Sequence, residues 1–184
     1  AAYSIQVNNL LVAERVAEDQ YIGRNVGKTD HNGLELNLNY NFPIVSFLRA
    51  RTFINAAYNS FSFDEFIDEE EDYSGNDLPA VPQETLNAGL DLISSFGFNL
   101  RTTYQYEGEM PLNDANTEFR DSYSLLHLKA SLRPLESFNS GFMEDWKLEL
   151  FGGENNTLDE KYAASVIPNA VGFGGNAPRY FYPG

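Results

Sequence analysis

The run Leu34-Glu35-Leu36-Asn37-Leu38-Asn39-Tyr40-Asn41-Phe42 changes polarity at every step, setting five apolar side chains against four polar ones. Successive side chains of a strand point to opposite faces, so this run predicts one apolar and one polar face, whereas a helix would scatter both kinds around its axis. The same period recurs. Phe96, Phe98, Leu100, Thr102, Tyr104 and Tyr106 oppose Gly97, Asn99, Arg101, Thr103, Gln105 and Glu107. Leu86, Ala88, Leu90 and Leu92 alternate with Asn87, Gly89 and Asp91; Leu126, Leu128, Ala130 and Leu132 alternate with His127, Lys129, Ser131 and Arg133; Trp146, Leu148 and Leu150 alternate with Lys147 and Glu149. Helical periodicity is almost nowhere to be found.

Two further strands are less regular. Residues 3–12 carry Ile5, Val7 and Leu11 in one phase but Leu10 and Val12 in the other, and residues 51–66 carry Ile54, Ala56 and Tyr58 against Phe61 and Phe63. A bulge, or emergence of the strand from an apolar layer, would account for the second break. Seven strands follow, at about residues 3–12, 22–42, 50–66, 82–93, 96–109, 122–134 and 146–155. They are long: about 9–11 residues are needed to cross the hydrocarbon of a bilayer, while globular strands have a mode near 5–6.

The connections alternate in length. Residues 43–48, 94–95 and 135–145 are short or moderate; residues 67–80, 110–121 and 157–177 are longer and polar. Short turns at one end and long loops at the other is the arrangement of outer-membrane barrels, whose long loops are extracellular. Aromatic residues fall where the two girdles belong, with Tyr40, Phe42, Phe96, Phe98 and Trp146 beside the short turns and Tyr104 and Tyr106 near the long loops. The fold expected is therefore all-β: an antiparallel, up-and-down transmembrane β-barrel segment. Leu, Tyr and Phe face lipid; Asn, Glu, Lys and Arg face the lumen. A soluble β-sandwich also alternates, but strand length, loop asymmetry and girdle placement each favour the membrane.

Composition changes this picture little. The hydrophobic fraction is 42%, with no stretch near the roughly 20 apolar residues of a membrane helix, so a helical membrane protein is excluded. Twenty-seven acidic residues against 12 basic ones give a net charge of -15, the wrong sign for a nucleic-acid binder. Cysteine is absent, which removes disulfide scaffolds, zinc knuckles and thiol nucleophiles together. Residues 1–12 lack the basic n-region and continuous apolar run of a signal peptide, as expected of a mature or shortened chain.

Four segments carry a family resemblance. Asn25-Val26-Gly27-Lys28-Thr29 followed by Asn32-Gly33-Leu34-Glu35-Leu36, then Val81-Pro82-Gln83-Glu84-Thr85-Leu86-Asn87, then Asn156-Thr157-Leu158-Asp159-Glu160-Lys161-Tyr162-Ala163, and last Pro178-Arg179-Tyr180-Phe181-Tyr182-Pro183-Gly184 follow one another in the order of the C-terminal barrel region of TonB-dependent receptors, which the chain resembles. Thr157 departs from the pattern, which has an apolar residue there. The resemblance implies a piece of a barrel of about 22 strands, roughly strands fifteen to twenty-one, without the plug domain and final strand. It implies the outer membrane of a Gram-negative bacterium. It also implies outer-membrane lipid and lipopolysaccharide, the receptor's own plug domain and the TonB system as partners, and a small-molecule ligand, a ferric siderophore or similar iron complex.

Nothing in the chain points to catalysis, and no cofactor is expected. His31 and His127 stand alone, without ligand spacing around them, and Gly172-Phe173-Gly174-Gly175 does not join a strand to a helix as a phosphate cradle does. Family receptors take ligand at the extracellular mouth, so Gln105, Glu107, Tyr123, His127 and Asn155, which lie nearer the long loops, are the candidates for ligand contact. The other lumen residues serve to support the plug. The acidic run through Asp68, Glu69, Glu70, Glu71 and Asp72 reads as a solvated extracellular loop, with weak Ca²⁺ binding or cation bridging to lipopolysaccharide phosphates as its functional alternative. Two rival functions remain at this point: a passive porin or adhesin barrel, and a soluble carbohydrate-binding β-sandwich.

Overall fold

The structure, a computed structural model, describes residues 1–9, 11–17, 20–25, 27–68, 71–133, 148–171 and 178–181. A seven-stranded antiparallel sheet forms its body. β1 (Ala2–Asn8), β4 (Lys28–Val45), β5 (Leu48–Glu65), β8 (Glu84–Ser94), β9 (Phe98–Glu107), β12 (Tyr123–Leu132) and β13 (Leu150–Glu154) lie side by side in chain order. Three small hairpins stand between them, β2 (Leu11–Ala17) with β3 (Gln20–Asn25), β6 (Ile67–Asp68) with β7 (Glu71–Asp72) and β10 (Met110–Pro111) with β11 (Phe119–Arg120), and a fourth, β14 (Ser165–Val171) with β15 (Pro178–Phe181), follows β13. Each central strand pairs with its sequence neighbour, the up-and-down connectivity expected of a barrel wall.

Register sorts the side chains as the alternation requires. Leu36, Ala56, Leu86, Tyr106 and Ser124 form one cross-strand row, and Leu38, Ile54, Ala88, Tyr104 and Leu126 form the next. The opposite face carries the rows Glu35–Ala57–Thr85–Glu107–Tyr123 and Asn37–Asn55–Asn87–Gln105–Leu125. Leu34, Leu36, Leu38 and Tyr40 are 58%, 55%, 47% and 60% exposed. A sandwich would bury this face against a second sheet; here no described residue covers it. Residues 34–44 advance roughly 33 Å at about 3.3 Å per residue, which a tilt of about 40° reduces to about 25 Å, the height of a barrel's apolar band.

The short-turn end is compact. Phe47 and Phe96, each in a turn, approach with ring centroids 6.2 Å apart, and Tyr40 stacks on Phe42 at 5.6 Å. The Ser95 N–H donates to the Phe47 carbonyl at 2.9 Å, joining adjacent turns. Gly97 has φ +91°, and a Cβ there would collide with the Arg133 carbonyl oxygen, so this turn requires glycine. Phe96, read from sequence as the first strand residue, thus lies in the turn, and β9 begins at Phe98. Trp146, the remaining girdle aromatic, lies outside the described residues.

The long-loop end departs from the sequence reading in three places. Asn9 (φ 59°) and Gly27 (φ 76°) break the strands read over 3–12 and 22–42. The chain then resumes as the β2–β3 hairpin, so that a long arm rises beyond the sheet. No bulge separates Tyr58 from Phe61: β5 keeps one register against β4 from Arg49 to Phe63, and the register shifts come beyond that span, at Lys28/Thr29 and at Pro43/Val45. Phe61 and Phe63 therefore do point to the polar face, where a small core of Phe63, Phe66 and Leu78, flanked by Tyr73 and Val81, covers them. Finally, residues 157–177 are not simply loop, since β14 and β15 pair within and just beyond them.

Candidate functional site

β8 begins beside Tyr58, seven residues short of the end of β5. Above that point the following loop replaces it. The Asn59 N–H donates to Gln83 O (2.7 Å), Leu78 N–H to Phe61 O (2.9 Å) and Phe63 N–H to Asn76 O (2.9 Å), which satisfies the backbone edge that β8 leaves open. The polar face below is a shallow depression of about 470 Å³, lined by Glu35, Asn37, Asn55, Thr85, Asn87, Gln105, Glu107 and Tyr123. Neutral amides dominate it. Asn39 donates to Asn37 at 2.9 Å and Asn37 donates in turn to Asn55. The Asn87 side-chain oxygen, Oδ1, is buried without a partner among the described residues.

At the upper edge of the depression one cluster ties strand to loop. Arg120, 5% exposed, donates from Nη1 to Glu107 Oε1 (2.7 Å) and from Nη2 to the Gly108 carbonyl (2.8 Å). Tyr123 donates its hydroxyl proton to the other Glu107 oxygen at 2.7 Å. The guanidinium lies 4.9 Å from the centre of the Tyr123 ring, and Tyr162 comes back from the last loop to pack on that ring at 4.6 Å. A guanidinium with two charged or carbonyl acceptors and an aromatic face is a stable way to bury a cation.

Gln105, Glu107 and Tyr123 thus fall together, on adjacent cross-strand positions. Glu107 and Tyr123 commit their polar atoms to each other and to Arg120, whereas Gln105 lines the depression beside Asn87. His127 sits lower on β12, opposite Thr103, and accepts the Asn156 N–H at Nδ1 (3.3 Å). Asn155 is exposed where the chain leaves β13. Arg120 was not among the residues singled out from sequence. The signal available was a single cation in the otherwise acidic stretch 107–121, which burial would oblige to find a carboxylate.

In the acidic run, Ile67 pairs with Asp72 and Asp68 with Glu71; Glu69 and Glu70 lie outside the described residues. The Ser74 hydroxyl and backbone N–H hold the Asp72 carboxyl below its ordinary range, the backbone contact measuring 3.0 Å. Among the described residues no three acidic or imidazole side chains converge as a metal site would require.

Residues 1–155 match the family model described as TonB dependent receptor-like, beta-barrel. The matched span covers all seven strands of the central sheet. The chain belongs to the TonB-dependent receptor β-barrel family. That family comprises receptors and transporters of the Gram-negative outer membrane rather than enzymes, and it works with the TonB system. In this TonB-dependent receptor barrel the exposed Leu/Tyr/Phe face is the lipid face. The depression belongs to the inner wall, and the Arg120 cluster lies at the end of the sheet where the long loops gather.

Proposed function

We propose that this chain forms inner wall and extracellular rim in a receptor that imports a scarce nutrient, a ferric siderophore or another iron complex. The observation that carries the reading is the family match over the whole central sheet, joined to an apolar outer face and a polar inner one. Ligand arrives from the long-loop side. Of the five candidate contacts, Gln105 offers an amide on the wall with no partner among the described residues, His127 lies on the adjacent strand β12, and Asn155 lies just beyond the end of β13. Glu107 and Tyr123 present a pre-set carboxylate–phenol pair, with Arg120 as its counter-ion. The remaining inner-face residues support the plug, and the acidic hairpin at 67–72 faces outward, near lipopolysaccharide.

The test is uptake by cells lacking the whole receptor, with each of a panel of radiolabelled iron complexes supplied singly. Loss of one complex, restored by the intact gene but not in cells without TonB, is the expected result. Unchanged uptake of every complex would remove iron as the cargo, and uptake that persists without TonB would make the barrel a passive channel.

A further inference from the structure

Three loops meet above the wall: residues 66–83 between β5 and β8, residues 108–122 between β9 and β12, and the segment that follows β13. The middle one is the hub. Asn116 accepts the Asp77 N–H at Oδ1 (2.7 Å) and donates from Nδ2 to the Asp77 carbonyl (2.9 Å), a reciprocal pair like that between two strand residues. Its amide also donates to the Asn113 carbonyl at 3.1 Å, within its own loop. Asn76 adds a bond to the Asp114 carbonyl at 2.8 Å, and Ala80 N–H one to the Pro111 carbonyl at 2.9 Å.

The other side of the hub is held in the same way by Asn169. Its backbone N–H donates to Leu112 O (2.8 Å), its Oδ1 accepts the Asp114 N–H (3.1 Å) and its Nδ2 donates to the Asp114 carboxylate (3.1 Å). Asn116 and Asn169 both have left-handed backbones, φ 50° and 52°, a conformation that asparagine tolerates better than most residues. Leu112, 1% exposed, is buried between these contacts. Asparagine, with donor and acceptor on one planar group, can pair with a peptide unit as another peptide would.

We propose that these three loops are one preformed body, positioned by Asn116 and Asn169, and that they form a fixed wall of the ligand entrance rather than three independent lids. Calling the opening a ligand entrance rests on the uptake reading above; the unity of the loops does not. A hydrogen bond opens only when its surroundings do, so loops that share bonds exchange their amide protons as a unit.

The experiment is hydrogen exchange by mass spectrometry on the full receptor in detergent, without ligand, comparing the parent with Asn116→Gly. Glycine keeps the left-handed backbone and removes only the amide. Exchange is expected to quicken by about tenfold in residues 108–122 and 73–80 and also in 165–171, which Asn116 does not touch, while β8, β9 and β12 stay unchanged. Acceleration confined to 108–122 and 73–80, or none at all, would overturn the proposal. Asn169→Gly runs the test from the opposite end: residues 73–80 should quicken, and the double variant should add little to either single one. Independent, additive effects would again refute a single body. Because no ligand is present, these outcomes stand apart from success or failure of the iron-uptake assay.

Discussion

The wall and the rim of this barrel segment are held together by opposite means. On the wall, β4, β5, β8, β9 and β12 are joined by a continuous backbone ladder, and their largest apolar side chains lie open to the surroundings: Leu34, Leu36, Leu38 and Tyr40 on β4, Leu90 on β8, Leu132 on β12. At the rim the proportions invert. Of the buried side chains, Thr29, Phe63, Phe66, Leu78, Met110, Leu112, Arg120, Leu125 and Ala163 lie toward the long-loop end, while Ala50 and Ser94 lie near the short turns. The wall keeps its apolar surface for the solvent it is built for, the bilayer. The rim, which stands in water, must bury its own, with each interior Phe or Leu contributing on the order of 1.5–3 kcal/mol.

The largest effect that can break this comparison is a charge on the outer wall. Leu38→Arg, placed mid-belt, is expected to cost about 2–4 kcal/mol in the equilibrium folding of the full barrel into lipid vesicles, whereas Asn37→Arg, one residue away on the inner face, should cost less than about 1 kcal/mol. Equal costs would mean that β4 has no lipid face. Next comes the rim cation. Arg120→Met leaves Glu107 without its guanidinium and should destabilise residues 108–122 locally by about 2–3 kcal/mol, read as faster hydrogen exchange there with β12 below Leu125 unchanged. Slower folding of the whole sheet instead would assign the cluster to the wall.

Smaller is the inner-wall pair Arg101–Asp91, bidentate at 2.6 and 3.0 Å but with the arginine side chain 64% exposed. Asp91→Asn should change barrel stability by less than about 1 kcal/mol, and raised salt should erase even that. Smallest is the pH response of the acidic hairpin. The folded-state pKa of Asp72 is depressed by Ser74, so its contribution is present above the ordinary aspartate range and is lost as pH falls through the lowered value. Protease cleavage near residue 72 should therefore increase on acidification below about pH 4 and stay flat above it; a trend in the other direction would contradict the Ser74 contact.

What could be read from sequence divides along the same line. A strand between lipid and lumen feels its surroundings with a period of two, so Leu34 through Phe42 announce the wall, its faces and its direction from local pattern alone. The rim offers no such period. Phe61 and Phe63 look out of phase until Phe66 and Leu78 fold over them, and Asn169 meets Asp114 across a separation of 55 residues. Glu107 and Tyr123 stand out as polar residues near a loop, but that Arg120 claims them depends on where the β10–β11 hairpin returns. Of the five candidate contacts, the pattern could say which face each occupies; it could not say which polar atoms were already engaged.

The central claim is that, from residue 34 to residue 42 of β4, the even-numbered residues face lipid and the odd-numbered ones the lumen. This chain contains no cysteine, so single cysteines at each position from 34 to 42, with any cysteine elsewhere in the full receptor replaced, can carry a spin label in the receptor reconstituted in bilayers. Collisions with oxygen, which concentrates in lipid, are expected to dominate at 34, 36, 38, 40 and 42, and collisions with a water-soluble paramagnetic chelate at 35, 37, 39 and 41. Accessibility without a period of two, or with the two sets exchanged, would contradict it.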